Sequence, residues 1–405
     1  MSLRKILYWL SLVFIFMLPW EGVIQLPGGV GTAAKLVGLA VGALWLVNVV
    51  VTGRLRKPDA FLGATFAFVL WNALSVLWSA APGQSIGQVA TFAQCLGFVY
   101  VLWDLYRTRA ALLAGLQAYV LGVYVAVGSA AVNYFSSNPF YTHYERFSPG
   151  LTHPDGFGFI VALGIPVAWY LAGPASTSKL NLLKVVNYAY IPTAFVGIAF
   201  SGTRSAAIAT VPGMVFGLAS LTRLRLSARI AVFGLLTAAL FFLVPIVEPL
   251  KSFQRLGTIQ AEATEGDLNG RTNQWSEGLA AFSDRPVLGV GTNMYRSVNS
   301  LGHVAHNSFL SVLVQLGLIG FVLFGVILTI VVIHAFLQPR WDRNFWLTVL
   351  SVWALGAFTL TWEDRKTTWL FLSLIVASAA LQSQRGRALR FRQQDTPSVQ
   401  VLGEG

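Results

Sequence analysis

Charged side chains are scarce in this sequence. Asp, Glu, Lys and Arg make up 11% of the 405 residues, against 55% hydrophobic side chains, whereas soluble globular proteins carry roughly 25% charged residues. A chain of this composition cannot cover the surface of a soluble domain with polar groups. The composition therefore predicts an integral membrane protein.

Cysteine and paired carboxylates are scarce as well. The single cysteine, Cys95, lies inside an apolar run, which excludes a disulfide framework and a cysteine-based metal site. A catalytic divalent metal needs carboxylates in a close pair, such as Asp-x-Asp, and Glu262, Glu265 and Asp267 come nearest to one. We therefore expect neither a metal nor another cofactor.

Long hydrophobic runs dominate the sequence. Twelve of them approach the roughly 20 residues that cross a bilayer, and they begin near Ile6, Thr32, Ala60, Ile86, Ala110, Gly156, Leu182, Ser205, Arg229, Asn307, Phe345 and Thr367. The predicted fold is all-α and polytopic, with about twelve transmembrane helices. It includes one large outer loop.

The basic residues set the orientation of these helices. A formal net charge of +12 would suit a nucleic-acid-binding protein if the charge lay on one soluble surface. Here the basic residues cluster in alternate connections, as around Arg54, Arg225 and Arg387, which is the positive-inside pattern with both termini in the cytoplasm. We therefore expect no nucleic-acid partner.

The runs divide the chain into four segments. Residues 1–247 hold the first nine predicted helices, residues 248–305 the large outer loop, residues 306–382 the last three helices, and residues 383–405 a cytoplasmic tail. The outer loop is far longer than an ordinary connection. We therefore expect it to carry function.

The longest polar interval begins at residue 271 and leads into the tenth predicted helix. Arg271 and Trp275 recur at helical spacing, and Gly289-Val290-Gly291 predicts a turn. A cation in the first turn of a helix opposes the helix dipole unless an anion joins it, so Arg271 indicates an anion site. His306 stands directly before Asn307, which can cap the tenth helix.

A second outward cation, Arg204, follows Gly202 in a tight connection. Positive-inside statistics disfavour an arginine on this side. Thr203 or Ser205 can cap the eighth helix, whose free N–H groups attract an anion. Arg204 is therefore interpreted either as an anion ligand or as a surface arginine that pairs with lipid phosphate.

The connection between the fifth and sixth helices is rich in Tyr and Phe and includes His143, Arg146 and His153. Aromatic side chains at this depth form an interfacial belt in many membrane proteins. They can also pack on sugar rings while Arg146 binds hydroxyl or phosphate groups. Both interpretations stay open.

The span from residue 201 to residue 320 resembles the O-antigen ligase and polymerase family. The resemblance rests on an Arg-x-x-x-Trp helix, a following Pro and Gly-x-Gly turn, and a His-Asn pair ahead of an apolar helix; here these are Arg271, Trp275, Pro286, Gly289, Gly291, His306 and Asn307. Members of this family move glycans off polyprenyl diphosphate at the outer face of the bacterial inner membrane, and their fold is GT-C-like.

The resemblance implies a glycosyltransferase of the inner membrane whose active site faces the periplasm. Its donor would be an undecaprenyl-diphosphate-linked glycan. The acceptor would be lipid A core in an O-antigen ligase of lipopolysaccharide biosynthesis, which we favour, or the growing glycan in an O-antigen or exopolysaccharide polymerase. A lipid-linked glycan transporter is the other alternative, although its transmembrane helices would carry more charge. Membrane lipids would surround the protein.

Glycosyl transfer needs stabilisation of the departing diphosphate and a base for the attacking hydroxyl. Arginine suits the first role because its guanidinium binds phosphate bidentately and stays protonated, and we assign that role to Arg204, Arg271 and Arg146. Neutral histidine suits the second role, and we assign it to His306.

Four more side chains are candidate contacts to the acceptor or the glycan: His153, Trp275, Asn307 and Tyr295. The resemblance implies a single displacement that inverts the anomeric centre, and we expect it to proceed without a metal. The last outer connection contains Glu363, Asp364, Arg365 and Lys366. It is predicted to be a self-paired, solvated turn, and a role in acceptor binding stays open.

Overall fold

A computed structural model describes residues 2–29, 31–142, 144–173, 181–258 and 271–394. Within these ranges the chain is almost wholly helical. One small antiparallel sheet pairs Gln25–Leu26 (β1) with Gly31–Thr32 (β2). The predicted all-α class is confirmed.

Fourteen α-helices follow one another in the described residues. They are α1 Leu3–Met17, α2 Ala33–Thr52, α3 Ala60–Leu74, α4 Pro82–Leu105, α5 Arg109–Phe135, α6 Pro154–Ala172, α7 Asn181–Ser201, α8 Arg204–Leu221, α9 Leu226–Val247, α10 Lys251–Gln254, α11 Arg271–Asp284, α12 Ser308–Phe336, α13 Arg340–Thr359 and α14 Lys366–Gln394. Short 3-10 turns continue α1 through Trp20 and α3 through Trp78.

Ten of these helices, α1 to α9 and α12, are long and apolar enough to cross a membrane. Helices α13 and α14 lie where the last two spans were predicted, and polar or charged residues at one end of each lower their mean hydropathy. The polytopic membrane fold is therefore confirmed. Helix α14 continues to Gln394, past the predicted end near residue 382, and residues 395–405 lie outside the described part.

Helix α6 forms the centre of the bundle. Its side chains from residue 157 to residue 172 are all buried, as expected for a helix that is apolar on every side. Helices α5, α7, α8 and α13 pack around it. Because α6 begins at Pro154, this buried helix fixes the position of His153 at its N-terminal end.

The connections that carry the predicted site meet on one face of the bundle, here called the site face. The N–H of Leu151 donates to the carbonyl oxygen of Gly22, which joins the α5–α6 and α1–α2 connections. The N–H of Trp362 donates to Ser308 Oγ, which joins the α13–α14 connection to the start of α12. These hydrogen bonds hold distant parts of the sequence together at one surface.

Helix α12 is broken at Gly317, whose φ of 65° and ψ of −168° are not helical. The break leaves carbonyl groups of the preceding turn without helical partners. The N–H groups of Val290 and Gly291 donate to the carbonyl oxygens of Val314 (3.0 Å) and Gln315 (2.8 Å). Irregular backbone at membrane depth is tolerated only where protein supplies such bonds.

The segment from Pro286 to Asn293, here called the re-entrant segment, supplies these bonds, and its residues Gly289, Gly291 and Thr292 are buried against the bundle. Thr292 anchors it against α3 and α4. The Thr292 N–H donates to Ser75 Oγ (3.0 Å), its hydroxyl donates to Asn72 Oδ1 (3.1 Å), and Ser85 Oγ donates to its carbonyl oxygen (2.7 Å). The large loop is therefore fixed to the bundle at this point.

Replacement of Gly317 by alanine should destabilise the protein by more than about 1 kcal/mol, because alanine does not tolerate positive φ. The new Cβ would also lie 2.2 Å from the carbonyl oxygen of Val287. The melting temperature of the purified protein in detergent measures the effect. Gly325 lies on the same helix with open space around it, so Gly325→Ala should melt as the wild type does; equal shifts in both variants would contradict this account.

Candidate functional site

Two of the arginines that were predicted to bind the diphosphate and the histidine that was predicted to be the base lie on the site face. Arg204 is the first residue of α8, Arg271 is the first residue of α11, and His306 precedes α12. His306 is close enough to Arg271, His153 and Asp155 for their charges to affect its pKa. The structure thus brings Arg271, His153 and His306 together, although 153 residues of sequence separate the two histidines.

The backbone and the ring of His306 are both unusual. Its φ is 49°, a conformation that non-glycine residues seldom adopt and that is found at functional sites. Within the described residues its buried Nδ1 has no hydrogen-bond partner. Burial and the charge of Arg271 lower the pKa of His306 to about 4, so the imidazole is neutral at neutral pH.

Two hydrogen-bonded neighbours hold His306 in place. The indole N–H of Trp275 donates to the carbonyl oxygen of Ala305 (2.8 Å). Asn307 caps α12, since its Oδ1 accepts the N–H groups of Phe309 and Leu310. Trp275 and Asn307, which were predicted to touch the glycan or acceptor, thus fix the backbone on either side of the histidine.

Tyr295 packs α11 against the loop. Its hydroxyl donates to the carbonyl oxygen of Gln274 (2.9 Å) beside Gly278, where a Cβ would lie 2.5 Å from that hydroxyl. Tyr295 is buried. It therefore supports the position of Arg271 at the start of the same helix, and its hydroxyl is engaged by the protein.

Arg146 is buried, and its guanidinium is engaged within the protein. Nε donates to the carbonyl oxygen of Ser201 (2.6 Å), and Nη2 donates to Asp155 Oδ1 (2.5 Å) and Thr203 Oγ1 (2.9 Å). These bonds tie the α5–α6 connection to the connection that carries Arg204. The geometry favours a positioning role for Arg146 over the predicted contact with diphosphate.

Arg204 occupies the first turn of α8 and is half-buried. Thr203 is the N-cap residue, but its hydroxyl makes no capping bond to the helix, so the predicted cap by Thr203 is wrong. Instead Thr203 Oγ1 lies 3.2 Å from Asp155 Oδ1. The first turn of α8 therefore combines N–H groups without a side-chain cap and a guanidinium, and both attract an anion.

His153 is the N-cap of α6, where its Nδ1 accepts the N–H of Asp155 (3.2 Å). Neutral His153 then carries its proton on Nε2, which lies 2.7 Å from the hydroxyl of Tyr141. The rings of Phe140, Tyr141 and His153 contact one another edge to face. His143 lies outside the described residues.

A cleft of about 880 Å³ opens at the site face. Its size is near the upper end of the ~300–1,000 Å³ typical of ligand pockets. Tyr141, His153 and His306 line it together with Lys35, Gln88 and Asp364. Aromatic, amide and charged groups thus meet in one cavity, and this part of the aromatic connection faces the cleft.

The α13–α14 connection differs from its prediction at Glu363. This side chain is only 4% exposed, and burial followed by the adjacent Asp364 raises its pKa to about 8. A solvated turn is therefore wrong for Glu363. Asp364 does lie 3.5 Å from Arg365, whereas Lys366 pairs with Glu21 of the α1–α2 connection (2.6 Å).

Sequence reasoning assigned no role to two of the four basic residues of the cleft, Lys35 and Arg296. Lys35, Arg296, Arg365 and Lys366 all line it, whereas Arg204 and Arg271 do not. Lys35 lies at the start of the second predicted helix, to which no functional residue was assigned. The sequence feature that could have identified Lys35 is its position at the outer end of an apolar helix, where the positive-inside rule disfavours a lysine.

Helices long and apolar enough to span a membrane, together with a cationic, histidine-bearing cleft on one face of the bundle, define a polytopic membrane protein with a polar site. Residues 189–325 match the family described as O-Antigen ligase, and that span contains Arg204, Arg271 and His306. The chain is also 26% identical over 322 residues to the Exopolysaccharide production protein ExoQ of Rhizobium meliloti (strain 1021), which covers 74% of this chain and 70% of that protein. The resemblance to the O-antigen ligase and polymerase family is confirmed.

Proposed function

We propose that the protein transfers a glycan from an undecaprenyl-diphosphate-linked donor to an acceptor hydroxyl at the periplasmic face of the bacterial inner membrane. A ligase or polymerase role in glycan assembly follows from the family match. The observation that carries the finer proposal is the neutral, half-buried His306 beside Arg271, in a cleft large enough for sugar rings.

The reaction would proceed by one displacement. Neutral His306 accepts the proton of the acceptor hydroxyl as the oxygen attacks the anomeric carbon. The bond from that carbon to the diphosphate oxygen breaks, and undecaprenyl diphosphate departs with the bonding electron pair. Arg204 and Arg271 stabilise the charge that develops on it, each helped by the N-terminus of its own helix. The anomeric centre is inverted.

The acceptor distinguishes two versions of this function. Sequence reasoning favours an O-antigen ligase, for which lipid A core is the acceptor. The similarity to an exopolysaccharide production protein supports a polymerase, for which the growing glycan is the acceptor. Purified protein in vesicles, supplied with a lipid-diphosphate glycan and either acceptor, tests them; transfer to neither acceptor would overturn the proposed function.

The metal-independent chemistry is tested by chelation. The described residues contain no group of three His, Cys, Asp or Glu side chains that could hold a metal ion. We expect ethylenediaminetetraacetate to leave the transfer rate unchanged, because arginines perform the charge stabilisation. Loss of activity on chelation, restored by one divalent cation, would contradict this expectation.

The orientation of the site is tested by cysteine labelling. Ser300 is exposed on the site face and Arg225 is exposed between α8 and α9, while the native Cys95 is buried. A membrane-impermeant maleimide should label Ser300→Cys in intact spheroplasts and Arg225→Cys only after permeabilisation. The reverse pattern would place the site in the cytoplasm.

A further inference from the structure

One part of the cleft lining is basic and has no role in the reaction described above. It consists of Lys35 in the first turn of α2, Arg296 beyond the re-entrant segment, and Arg365 and Lys366 between α13 and α14. These four side chains are here called the basic wall. Amide and hydroxyl groups suited to sugar hydroxyls, those of Gln25, Gln88 and Thr361, lie in the same lining.

The protein neutralises only half of the basic wall. Lys366 pairs with Glu21 at 2.6 Å, and Arg365 lies 3.5 Å from Asp364. Within the described residues, neither Lys35 nor Arg296 forms an ion pair. Lys35 and Arg296 therefore line the cleft without an ion pair to a carboxylate among the described residues.

Lys35 is the more informative of these two cations. It is half-buried, and its place in the first turn of α2 opposes the helix dipole. A lysine there is unfavourable unless an anion binds to it. Thr361 Oγ1, in the same lining, has no hydrogen-bond partner among the described residues.

The geometry of the proposed reaction indicates whether the donor or the acceptor occupies the cleft. In a single displacement the attacking hydroxyl and the leaving diphosphate lie on opposite sides of the anomeric carbon. The base must touch the attacking hydroxyl, and His306 lines the cleft while Arg204 and Arg271 do not. The cleft therefore receives the acceptor, and the basic wall contacts the acceptor instead of the leaving group.

We propose that the basic wall binds an anionic substituent, a carboxylate or a phosphate, on the acceptor glycan and selects acceptors that carry one. This inference rests on the proposed glycosyl transfer and adds the charge of its acceptor. Lys35 and Arg296 are the ligands of the anion. Arg365 and Lys366, which pair with Asp364 and Glu21, stabilise that side of the cleft.

The test uses full-length protein in vesicles of zwitterionic lipid, so that no anionic lipid competes for the wall. Donor and acceptor glycans are extracted from the bacterium that makes the protein. Part of the acceptor is treated with carbodiimide and borohydride to reduce carboxylates, and part with hydrofluoric acid to remove phosphates. Steady-state rates give KM for each acceptor preparation and for the donor.

We expect Lys35→Gln and Arg296→Gln each to raise KM for the untreated acceptor about tenfold, the loss expected for one charge-assisted hydrogen bond. The donor KM and kcat should stay unchanged. The treatment that removes the anion should raise the wild-type KM and abolish the difference between wild type and variants. Which treatment does so identifies the anion as carboxylate or phosphate.

Lys251→Gln is the matched control, because Lys251 is an exposed cation that pairs with Glu145 and does not line the cleft. The inference fails if the extracted acceptor contains no acidic group. It also fails if the two variants raise the donor KM, raise KM for the anion-free acceptor as much as they raise it for the untreated acceptor, or leave KM unchanged. Absence of transfer by the wild type would instead count against the proposed function itself.

Discussion

Alanine at Arg204 or at Arg271 is expected to lower glycan transfer by about 10² to 10³, the loss that follows removal of one donor to a developing oxyanion. Each arginine occupies the first residue of a helix, where the helix N-terminus already favours a negative charge. Removal of the guanidinium leaves that weaker attraction in place. The loss should appear in kcat, since the charge on the diphosphate develops in the transition state.

Lysine at either position should rescue activity only in part, because one ammonium group cannot reproduce a bidentate guanidinium. Arg285→Ala provides the control, since Arg285 is exposed just beyond α11. Melting temperatures of all variants should match that of the wild type, so that the loss is not one of folding. Full activity in both lysine variants would remove the assignment of these arginines to the diphosphate.

The helices could be predicted from the sequence because a bilayer imposes a length and a composition on each of them. Helix α3 begins at Ala60, as predicted, and α12 begins at Ser308, one residue from its predicted start. The capping role of Asn307 was also predicted correctly, because it depends on residues two and three positions away. Local signals of this kind do not depend on how the rest of the chain packs.

The re-entrant segment could not be predicted, because its partners are distant in the sequence. The Gly289-Val290-Gly291 turn is visible in the sequence, but its docking depends on Ser75 and on the break at Gly317. No local pattern pairs residue 292 with residue 75. The same holds for Trp71, whose indole N–H donates to the carbonyl oxygen of Leu316.

The partners of charged residues could not be predicted from the sequence either. Arg146 was assigned to diphosphate by residue type and side of the membrane, whereas the structure engages it with Asp155 and Ser201. Glu363 was expected in solvent and lies buried. The sequence indicates which charges face one side of the membrane, but only the packing of connections decides which of them the protein itself neutralises.

The pH dependence of transfer should reveal the state of His306. Burial and Arg271 lower its pKa to about 4, and only the neutral ring can act as base. The value of kcat/KM, which reports the free enzyme, should therefore be flat between about pH 6 and 8 and fall only as the pH drops through about 4. A fall near the ordinary histidine value of about 6.5 would contradict the burial of the ring.

Bound donor should change this profile. The diphosphate places negative charge near His306 and offsets Arg271, and a nearby negative charge favours the protonated ring and raises its pKa. The fall in kcat, which reports the complex, is therefore expected at higher pH than the fall in kcat/KM. This shift brings the base closer to working pH when both substrates are present.

Glutamine at His306 separates base catalysis from mere positioning. Glutamine keeps hydrogen bonding but cannot take a proton, so His306→Gln should lose the 10²- to 10⁴-fold usually attributed to acid–base catalysis while donor binding stays intact. His303 is exposed and lies three residues earlier, so His303→Gln should retain activity. If His306→Gln keeps more than about a tenth of wild-type turnover, the loss is smaller than acid–base catalysis usually contributes. In that case the imidazole does not remove the acceptor proton, and Arg204 and Arg271 carry the catalysis.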